Sequence, residues 1–377
     1  MTYLDNSATT KVCEQAVERM VQVMTERFGN PSSLHSLGIA AEAELMKARQ
    51  EVAALMGASP ERVIFTGGGT EANNLAILGG AAAKGRRTHK AVTTAVEHSS
   101  VAACFDELEK QGWEVIRVMP SADGRITPDA IEAACTADTS LVSIMMVNNE
   151  TGALTDIAEV VRRVRGRSPD ALIHTDCVQA AGKLPLKAER WGVDLLTVSS
   201  HKLHGPKGCG ALYIRKGSRV LPRQFGGGQE QALRPGTEGV PAIVGFGAAA
   251  AAQPSLMAQA EHYGELRRCL QRGLADLPEI RWHLPKGGVP YINNVSVVGF
   301  RSETLLHFLA QREIYVSSGS ACARGQKSRV LTAMGLPDDE IDSALRISFC
   351  FDNTEEDIQR LCAALHEAVA VLQRKGR

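Results

Sequence analysis

The sequence lacks the features of a secreted, membrane-bound or strongly charged protein. Its 377 residues balance 42 Lys and Arg against 42 Asp and Glu, so no overall charge attracts nucleic acid or an acidic membrane. The start, Met1 to Asp5, has neither the basic nor the apolar part of a secretory signal. The longest weakly polar stretch, Val240 to Ala252, is too short to cross a bilayer. We therefore expect a cytoplasmic protein that binds neither nucleic acid nor membrane.

Cysteine patterns typical of disulfide frameworks or zinc cages are also missing. The nine cysteines are scattered and odd in number, and no two of them form a CxxC pair. A disulfide framework is not expected in a chain of this length, and no metal site is predicted. Most of these thiols are therefore expected to be small side chains of the core.

The sequence does contain a regular alternation of short apolar runs and amphipathic helical patterns between about residues 61 and 214. The predicted strands are Arg62–Thr66, Ala91–Val96, Glu114–Val118, Leu141–Val147, Leu172–Thr175, Leu195–Ser199 and Gly210–Ile214. This order predicts an α/β fold with a mostly parallel sheet and helices on both faces. Such sheets bind their ligands at the carboxyl ends of the strands.

The alternation ends after the glycine run at residues 226–228. A long helical stretch, roughly residues 243–277, leads to strands near residues 294–298, 314–317 and 345–349 and to a final helix near residues 354–375. We predict a large α/β domain over residues 12–254 and a smaller α+β domain over residues 255–377. The N-terminal segment, residues 1–11, is expected to pack on the smaller domain.

A lysine stands where such a sheet presents its ligands. Lys202 directly follows the predicted strand Leu195–Ser199, in a polar turn that contains glycine. A lysine that is desolvated there loses its proton readily and can form a Schiff base. For the neighbouring Lys207, an ordinary surface position is the better interpretation.

Two polar residues follow another predicted strand. Asp176 is placed to hold the pyridinium nitrogen of pyridoxal phosphate, which strengthens the electron-accepting character of that ring. Gln179 can donate a hydrogen bond to the phenolic oxygen of the same ring. Alone, an aspartate at a strand end is weak evidence, because most such residues cap helices.

A glycine-rich turn, Gly67 to Thr70, lies between a predicted strand and a helix. Backbone N–H groups at a helix start suit a phosphate, and glycine permits its close approach. The turn has neither the GK[ST] of a nucleotide-binding loop nor the GxGxxG spacing, so a nucleotide site is disfavoured.

Three further side chains have chemistry of interest. His98 follows a predicted strand, where it can stack on an aromatic ring and shuttle protons, or simply cap a helix. Cys322 lies in a run of small residues near Arg324 and Lys327, whose charges lower the pKa of a thiol. Arg346 stands among apolar residues and needs a carboxylate partner, which is either structural or that of an amino-acid substrate.

Together these segments resemble the cysteine desulfurases of the class V aminotransferase family. The likeness covers nearly the whole chain, and the matching segments follow the order of the family. Besides the segments around Lys202 and Cys322, they are residues 4–10, 29–35, 70–75, 147–152, 226–230 and 234–238.

The resemblance implies a fold-type I transferase that depends on pyridoxal 5'-phosphate. Lys202 then corresponds to the Schiff-base lysine, Asp176 to the partner of the pyridine nitrogen, Gln179 to the partner of the phenolic oxygen and His98 to the residue that stacks on the ring. Asn149 corresponds to a further contact with cofactor and substrate.

The same resemblance assigns the remaining site residues. The phosphate ligands it implies are Gly69, Thr70, Ser199 and His201, with Thr237 reaching over from a neighbouring subunit. A homodimer with shared active sites follows from that last assignment. Arg346 corresponds to the residue that holds the substrate carboxylate, and Cys322, in the smaller domain, to the residue that becomes a persulfide.

The implied reaction converts L-cysteine into L-alanine. Lys202 would move the Cα proton, and Cys322 would take the sulfur and pass it to an acceptor protein such as an iron–sulfur scaffold. No resident metal is implied, although a transient iron–sulfur cluster could be held by Cys322.

Three alternatives are weaker or remain open. Transamination gives a nucleophilic cysteine no role. A non-catalytic scaffold is disfavoured because both Lys202 and Cys322 are present. Selenocysteine lysis stays open, since the same pocket should accept selenium.

Overall fold

The computed structural model describes residues 1–85, 89–318 and 327–374. The described strands are β1 Thr2–Tyr3, β2 Val63–Thr66, β3 Lys90–Thr94, β4 Glu114–Val118, β5 Thr139–Met145, β6 Leu172–Asp176, β7 Leu195–Ser199, β8 Gly210–Ile214, β9 Ile280–Trp282, β10 Ile292–Val297, β11 Ile314–Tyr315, β12 Ser317–Ser318 and β13 Ala344–Ser348. The described α-helices are α1 Glu14–Thr25, α2 Ser36–Met56, α3 Gly69–Asn74, α4 Gly80–Lys84, α5 Ser99–Lys110, α6 Pro128–Ala134, α7 Ile157–Arg167, α8 Ala188–Trp191, α9 Val240–Ala251, α10 Leu256–Gly273, α11 Ser302–Ala310, α12 Arg329–Ala333, α13 Asp338–Asp342 and α14 Glu355–Val371.

A seven-stranded sheet in the order β2-β8-β7-β6-β5-β3-β4 forms the centre of the molecule. Strands β4, β3, β5, β6 and β7 pair in parallel, whereas β8 pairs antiparallel with both β7 and β2. The predicted α/β fold with a mostly parallel sheet is confirmed. Because β8 is flanked on both sides by antiparallel partners, β2 runs in the same direction as the parallel strands.

The sheet separates two hydrophobic cores. Successive residues of a strand point to opposite faces, and the burial follows that alternation. In β6, Leu172 packs in the core on one face and Ile173 in the core on the other, and β7 repeats this with Leu195 and Leu196. Both faces are therefore covered, which explains why these strands read as continuous apolar runs in the sequence.

The C-terminal part carries a second, antiparallel sheet in the order β12-β13-β10-β9. The N-terminal segment joins this part of the molecule: β1 pairs in parallel with β11, and Asp5 bridges to Ser348 at the end of β13. The domain boundary predicted between residues 254 and 255 falls between α9 and α10.

The long helical stretch predicted for roughly residues 243–277 is helical for most of its length but is broken into two helices. Two helices, α9 and α10, occupy that part of the chain and meet at 81°. Pro254 lies between them, and proline has no N–H for a helix and clashes with the preceding turn. Ser255 then starts α10 by accepting a hydrogen bond from the backbone N–H of Ala258.

Candidate active site

One cavity of about 340 Å³ lies at the carboxyl ends of the central strands. It collects the loops after β2, β3, β5, β6 and β7, because these strands run in the same direction and end at the same edge of the sheet. The predicted site residues that line it are Gly69, Thr70, His98, Asn149, Asp176, Gln179, Ser199, His201, Lys202 and Arg346.

Lys202 ends a short 3-10 turn, Ser200–Lys202, that directly follows β7. Its Nζ donates to the carbonyl oxygens of Ser7 at 2.6 Å and Ala8 at 2.7 Å. The N-terminal segment therefore forms one wall around this amine. On the backbone side, the carbonyl of Lys202 accepts a hydrogen bond from Nζ of the buried Lys183 at 2.9 Å.

Asp176 is held rigidly on the floor of the cavity. It is 4% exposed; its Oδ1 accepts from the N–H of Val178 and its Oδ2 from Nδ2 of Asn73, each at 2.9 Å. Gln179 donates from Nε2 to the carbonyl of Ser7 at 3.0 Å, and its buried Oε1 has no partner within the described part of the chain. The carboxylate is thus oriented by two donors, while the amide beside it keeps hydrogen-bonding capacity.

The glycine-rich turn between β2 and α3 allows a close approach of backbone to backbone. Gly68 has φ 152°, a conformation open to glycine but not to other residues. A Cβ at Gly210 would lie 2.6 Å from the backbone of Gly68, so strand β8 needs a glycine there as well. The turn places Gly69 and Thr70 at the start of α3, where backbone N–H groups have no acceptor within the helix.

Two histidines, His98 and His201, line the cavity. Nδ1 of His98 accepts the N–H of Ser100, so this residue caps α5 and also faces the cavity. Burial lowers the pKa of His98, and the charge of Asp176 opposes that effect. Burial, reinforced by Lys202, lowers the pKa of His201 to about 4, and Nδ1 of His201 pairs with Oγ1 of Thr9 at 3.2 Å.

Arg346 has the carboxylate partner that its apolar surroundings require. It is 2% exposed, and its guanidinium donates to Oδ1 of Asp5 at 2.9 Å and to the carbonyl of Asn149 at 3.0 Å. Its Nε has no hydrogen-bond partner among the described residues, although the side chain lines the cavity. Arg346 therefore ties the N-terminal segment to the loop after β5.

Two predicted site residues do not belong to this group. Thr237 is exposed and is not among the described residues that line the cavity. Cys322 lies outside the described residues. On either side of its segment, Ser317 pairs with Arg346 across β12 and β13, and Arg329 donates to the carbonyl of Glu97, the residue before His98.

The structure adds site residues that sequence reasoning missed. Asn73 joins Asp176 to Ser100, and its position one helical turn after Thr70 was the available signal. Ser7 and Ala8 accept the bonds from Lys202, and Asp5 pairs with Arg346. Nothing in the sequence around Ser7, Ala8 and Asp5 predicts these contacts. Their partners, Lys202 and Arg346, are about 190 to 340 residues away in the chain.

The central sheet, with a lysine after β7 and an aspartate at the end of β6, defines the class of protein. It is the fold-type I architecture of pyridoxal-phosphate-dependent enzymes. The family model of class V aminotransferases matches residues 2–361. The chain therefore belongs to the class V aminotransferase family, whose members depend on pyridoxal phosphate.

Individual relatives agree with this assignment. A cysteine desulfurase of Nostoc sp. is 40% identical, with 98% of this chain and 93% of the relative covered. A cysteine desulfurase of Methanosarcina thermophila is also 40% identical, with 98% and 92% covered. The solved structure of a NifS-like protein superposes with a TM-score of 0.93 at 37% identity, covering 99% of this chain and 100% of the other.

Across residues 1–85, 89–318 and 327–374, no single helix has the length and apolar character to cross a membrane. The bent pair α9 and α10 passes such a test when the two are taken together, on length and composition alone.

Proposed function

We propose that the protein is a pyridoxal-phosphate-dependent cysteine desulfurase that moves sulfur from L-cysteine to Cys322 and releases L-alanine. The observation that carries this proposal is the meeting of Lys202, Asp176, His98 and Arg346 in one cavity, although they come from four distant segments of the chain. The named relatives, which are cysteine desulfurases at 40% identity over nearly their full length, support it.

Pyridoxal phosphate fits the residues that line the cavity. Asp176 would hold the ring nitrogen, and His98 would lie against the ring. Nε2 of Gln179 carries two N–H groups and donates one to Ser7, so the other is assigned to the phenolic oxygen. The phosphate would be held by Gly69, Thr70, Ser199 and His201, where a helix start and glycine backbone favour an anion. When bound, the cofactor supplies an electron sink that stabilises negative charge on the substrate.

We assign the proton transfer at Cα of the substrate to Nζ of Lys202. Two backbone carbonyls, those of Ser7 and Ala8, orient this amine from the N-terminal segment. The 3-10 turn and the bond from Lys183 hold the backbone of Lys202 in place. A general base needs such fixed geometry before its pKa matters.

Substrate recognition is assigned to Arg346 and Asn149. The guanidinium of Arg346 is nearly buried, and its Nε has no partner among the residues described. A buried guanidinium with donor capacity to spare suits the carboxylate of an amino acid. The structure of SspA in complex with cysteine, 32% identical with a TM-score of 0.81 and covering 93% of this chain, shows that a protein of this fold binds that amino acid.

The sulfur transfer itself is assigned to Cys322. Its thiolate attacks the sulfur of L-cysteine, a sulfur–sulfur bond forms, and the bond between that sulfur and Cβ of the substrate breaks. The bonding electrons stay with the substrate, which takes up a proton at Cβ and leaves as L-alanine. One thiol and L-cysteine thus give a persulfide and L-alanine, without an external oxidant or reductant.

The partners in this proposal are a second copy of the chain and a sulfur acceptor. Thr237 is exposed, as a residue that reaches the phosphate of a neighbouring subunit has to be. The acceptor is assigned to the class of iron–sulfur scaffold proteins or other sulfur carriers. We also propose that the protein is located in the cytoplasm.

The test measures both the attachment of the cofactor to Lys202 and the transfer of sulfur to Cys322. Borohydride treatment of the purified protein should fix the cofactor to the peptide that contains Lys202. Incubation with L-cysteine should add the mass of one sulfur atom to the peptide that contains Cys322. Cys322→Ser should abolish alanine formation and leave the visible spectrum intact, while Cys362→Ser, which changes a buried thiol on α14, should keep full activity. Normal turnover by Cys322→Ser would refute the persulfide step, and a protein that takes up no cofactor would refute the whole proposal.

A further inference from the structure

We propose that His204, Cys350 and Asp352 form a binding site for a divalent transition metal ion of the zinc class. A ring nitrogen of His204, Sγ of Cys350 and a carboxylate oxygen of Asp352 lie within 4.8 Å of one another. His204 follows β7, whereas Cys350 and Asp352 follow β13, far along the chain. None of the three is among the described residues that line the 340 Å³ cavity. The proposed site is therefore separate from the catalytic one, and it goes beyond the proposed function.

The kinds of donor atom define the class of ion. One imidazole nitrogen, one thiolate sulfur and one carboxylate oxygen are ligands that zinc takes, at about 2.0 to 2.3 Å. Calcium and magnesium prefer ligand sets made of oxygen alone, so a thiol and an imidazole disfavour them. Three protein ligands leave one position of a tetrahedron for water.

His204 is already oriented as a metal ligand should be. Its Nδ1 lies 3.0 Å from the carbonyl oxygen of Lys11, and since a carbonyl only accepts, Nδ1 carries the hydrogen. The lone pair then resides on Nε2, which can bind the ion. Histidines that bind metals almost always donate their other N–H to a carboxylate or a backbone carbonyl in this way.

The backbone of His204 is held in an unusual conformation. Its φ is 65°, in the left-handed region, and its N–H donates to Oγ1 of Thr10 at 2.7 Å. A non-glycine residue in that region is strained and persists where the surroundings require it. Here the strained turn directs an imidazole toward the loop after β13.

Cys350 and Asp352 lie in that loop, close to each other in the chain and fixed by its turn. The N–H of Cys350 donates to Oδ1 of Asn353 at 2.8 Å, and the N–H of Asn353 donates to the carbonyl of Cys350 at 3.2 Å. The thiol is buried, whereas Asp352 is exposed, so an ion can enter from solvent. On binding, the thiol of Cys350 loses its proton to water and a metal–sulfur bond forms.

The charge of the site suits a dication. A bound thiolate and the carboxylate of Asp352 contribute two negative charges. The buried Lys183 interacts electrostatically with both His204 and Cys350 and contributes one positive charge. The balance remains negative, and Nζ of Lys183 is already engaged by the carbonyl of Lys202 at 2.9 Å.

The position of the site suggests what an ion would do there. His204 is two residues after Lys202, and Cys350 is four residues after Arg346. The N-terminal segment, whose Ser7 and Ala8 hold the amine of Lys202, also supplies the carbonyl of Lys11 behind His204. A bound ion would therefore join three segments that build the cavity and would stabilise their mutual arrangement.

Zinc binding by the full-length holoenzyme tests this proposal. The parent is Cys322→Ser, because a reactive thiol would bind zinc by itself, and bound metal is first removed with a chelator. Equilibrium dialysis against Zn²⁺ followed by metal analysis should give one ion per chain. Asp352→Asn, Cys350→Ala and His204→Asn should each weaken binding by about tenfold or more, since even residues that only orient a ligand cost that much. Asparagine is chosen at His204 because it tolerates the left-handed conformation.

The control variant is Cys135→Ala, which removes a buried thiol from another part of the fold. It should bind zinc as the parent does. Asp352 is exposed, so Asp352→Asn is not expected to disturb folding, and it keeps the test decisive if Cys350→Ala is unstable. X-ray absorption at the zinc edge should show one sulfur at about 2.3 Å and nitrogen or oxygen at about 2.0 to 2.2 Å.

Three results would overturn the proposal. One is a parent that retains no zinc after dialysis. Another is an Asp352→Asn variant with unchanged affinity and stoichiometry. The third is an absorption spectrum without sulfur in the first shell of the zinc.

Discussion

The buried carboxyl of Glu97 is expected to make the stability of the protein depend on pH. Glu97 is 3% exposed, and its Oε1 accepts from Oγ1 of Thr94 at 2.8 Å and from the N–H of Met145 at 2.9 Å. Its Oε2 has no partner in the described ranges. Burial raises the pKa of Glu97 to about 8, and the neighbouring Asp176 adds to the rise. Glu97 is therefore neutral at pH 7 and places no negative charge beside Asp176.

The size of the effect follows from proton uptake on folding. In the unfolded chain a glutamate ionises near its ordinary pKa of about 4.3, whereas the folded protein keeps Glu97 protonated up to about pH 8. Between these values folding takes up a proton, so the free energy of unfolding falls by about 1.4 kcal/mol for each unit of rising pH. Between pH 5 and pH 8 this amounts to a loss of about 4 kcal/mol.

The substitution Glu97→Gln removes this dependence and keeps the shape of the side chain. Its Oε1 can accept the same two hydrogen bonds, but the amide cannot ionise. The free energy of unfolding of the variant minus that of the wild type should therefore rise by about 4 kcal/mol from pH 5 to pH 8. Denaturant unfolding of both holoenzymes at each pH unit measures this difference, in which the contributions of all other groups cancel.

Gln271→Ala, at an exposed site on α10 that has no ionisable group, is the control, and its difference should not change with pH. A flat difference for Glu97→Gln as well would refute the reasoning. It would mean that Glu97 is already ionised in the folded protein and that its burial does not disfavour the charge.

Two further predictions concern the cavity. Asn73→Ala removes one of the two donors that orient the carboxylate of Asp176, so the carboxylate is no longer fixed for the ring nitrogen and the Kd for pyridoxal phosphate should rise by about tenfold. Titration of the apoprotein followed by visible absorption measures this Kd. The control is Asn74→Ala, a half-buried neighbour that among the described residues bonds only to the carbonyl of Thr70 and should leave the Kd unchanged, whereas an unchanged Kd for Asn73→Ala would contradict the prediction. Arg346→Lys keeps the positive charge but loses the planar fork that also contacts Asp5, so KM for L-cysteine should rise about tenfold or more while kcat changes less. Initial rates of alanine formation test this, and a loss confined to kcat would argue against substrate binding by Arg346.

The strands of the central sheet could be predicted because a strand that is buried on both faces is a continuous apolar run in the sequence. A strand such as β7, Leu195–Ser199, is apolar along its whole length and is followed at once by polar and glycine residues. The antiparallel direction of β8 left no such trace, since an apolar run reads the same for either direction. The bend between α9 and α10 had a signal in Pro254, which outweighs the helical periodicity on both sides because proline cannot continue the hydrogen bonds of a helix.

The sequence by itself was enough to pick out residues that the structure brings together in the cavity. Lys202, Asp176 and the glycine-rich turn each follow an apolar strand, and parallel strands bring such positions to a common edge. Only the tertiary structure decided what surrounds them. The carbonyls that hold Lys202, the partner of Arg346 and the meeting of His204 with Cys350 all join segments about 150 to 340 residues apart. No local pattern encodes such contacts, because they depend on how two separately patterned parts of the chain pack against each other.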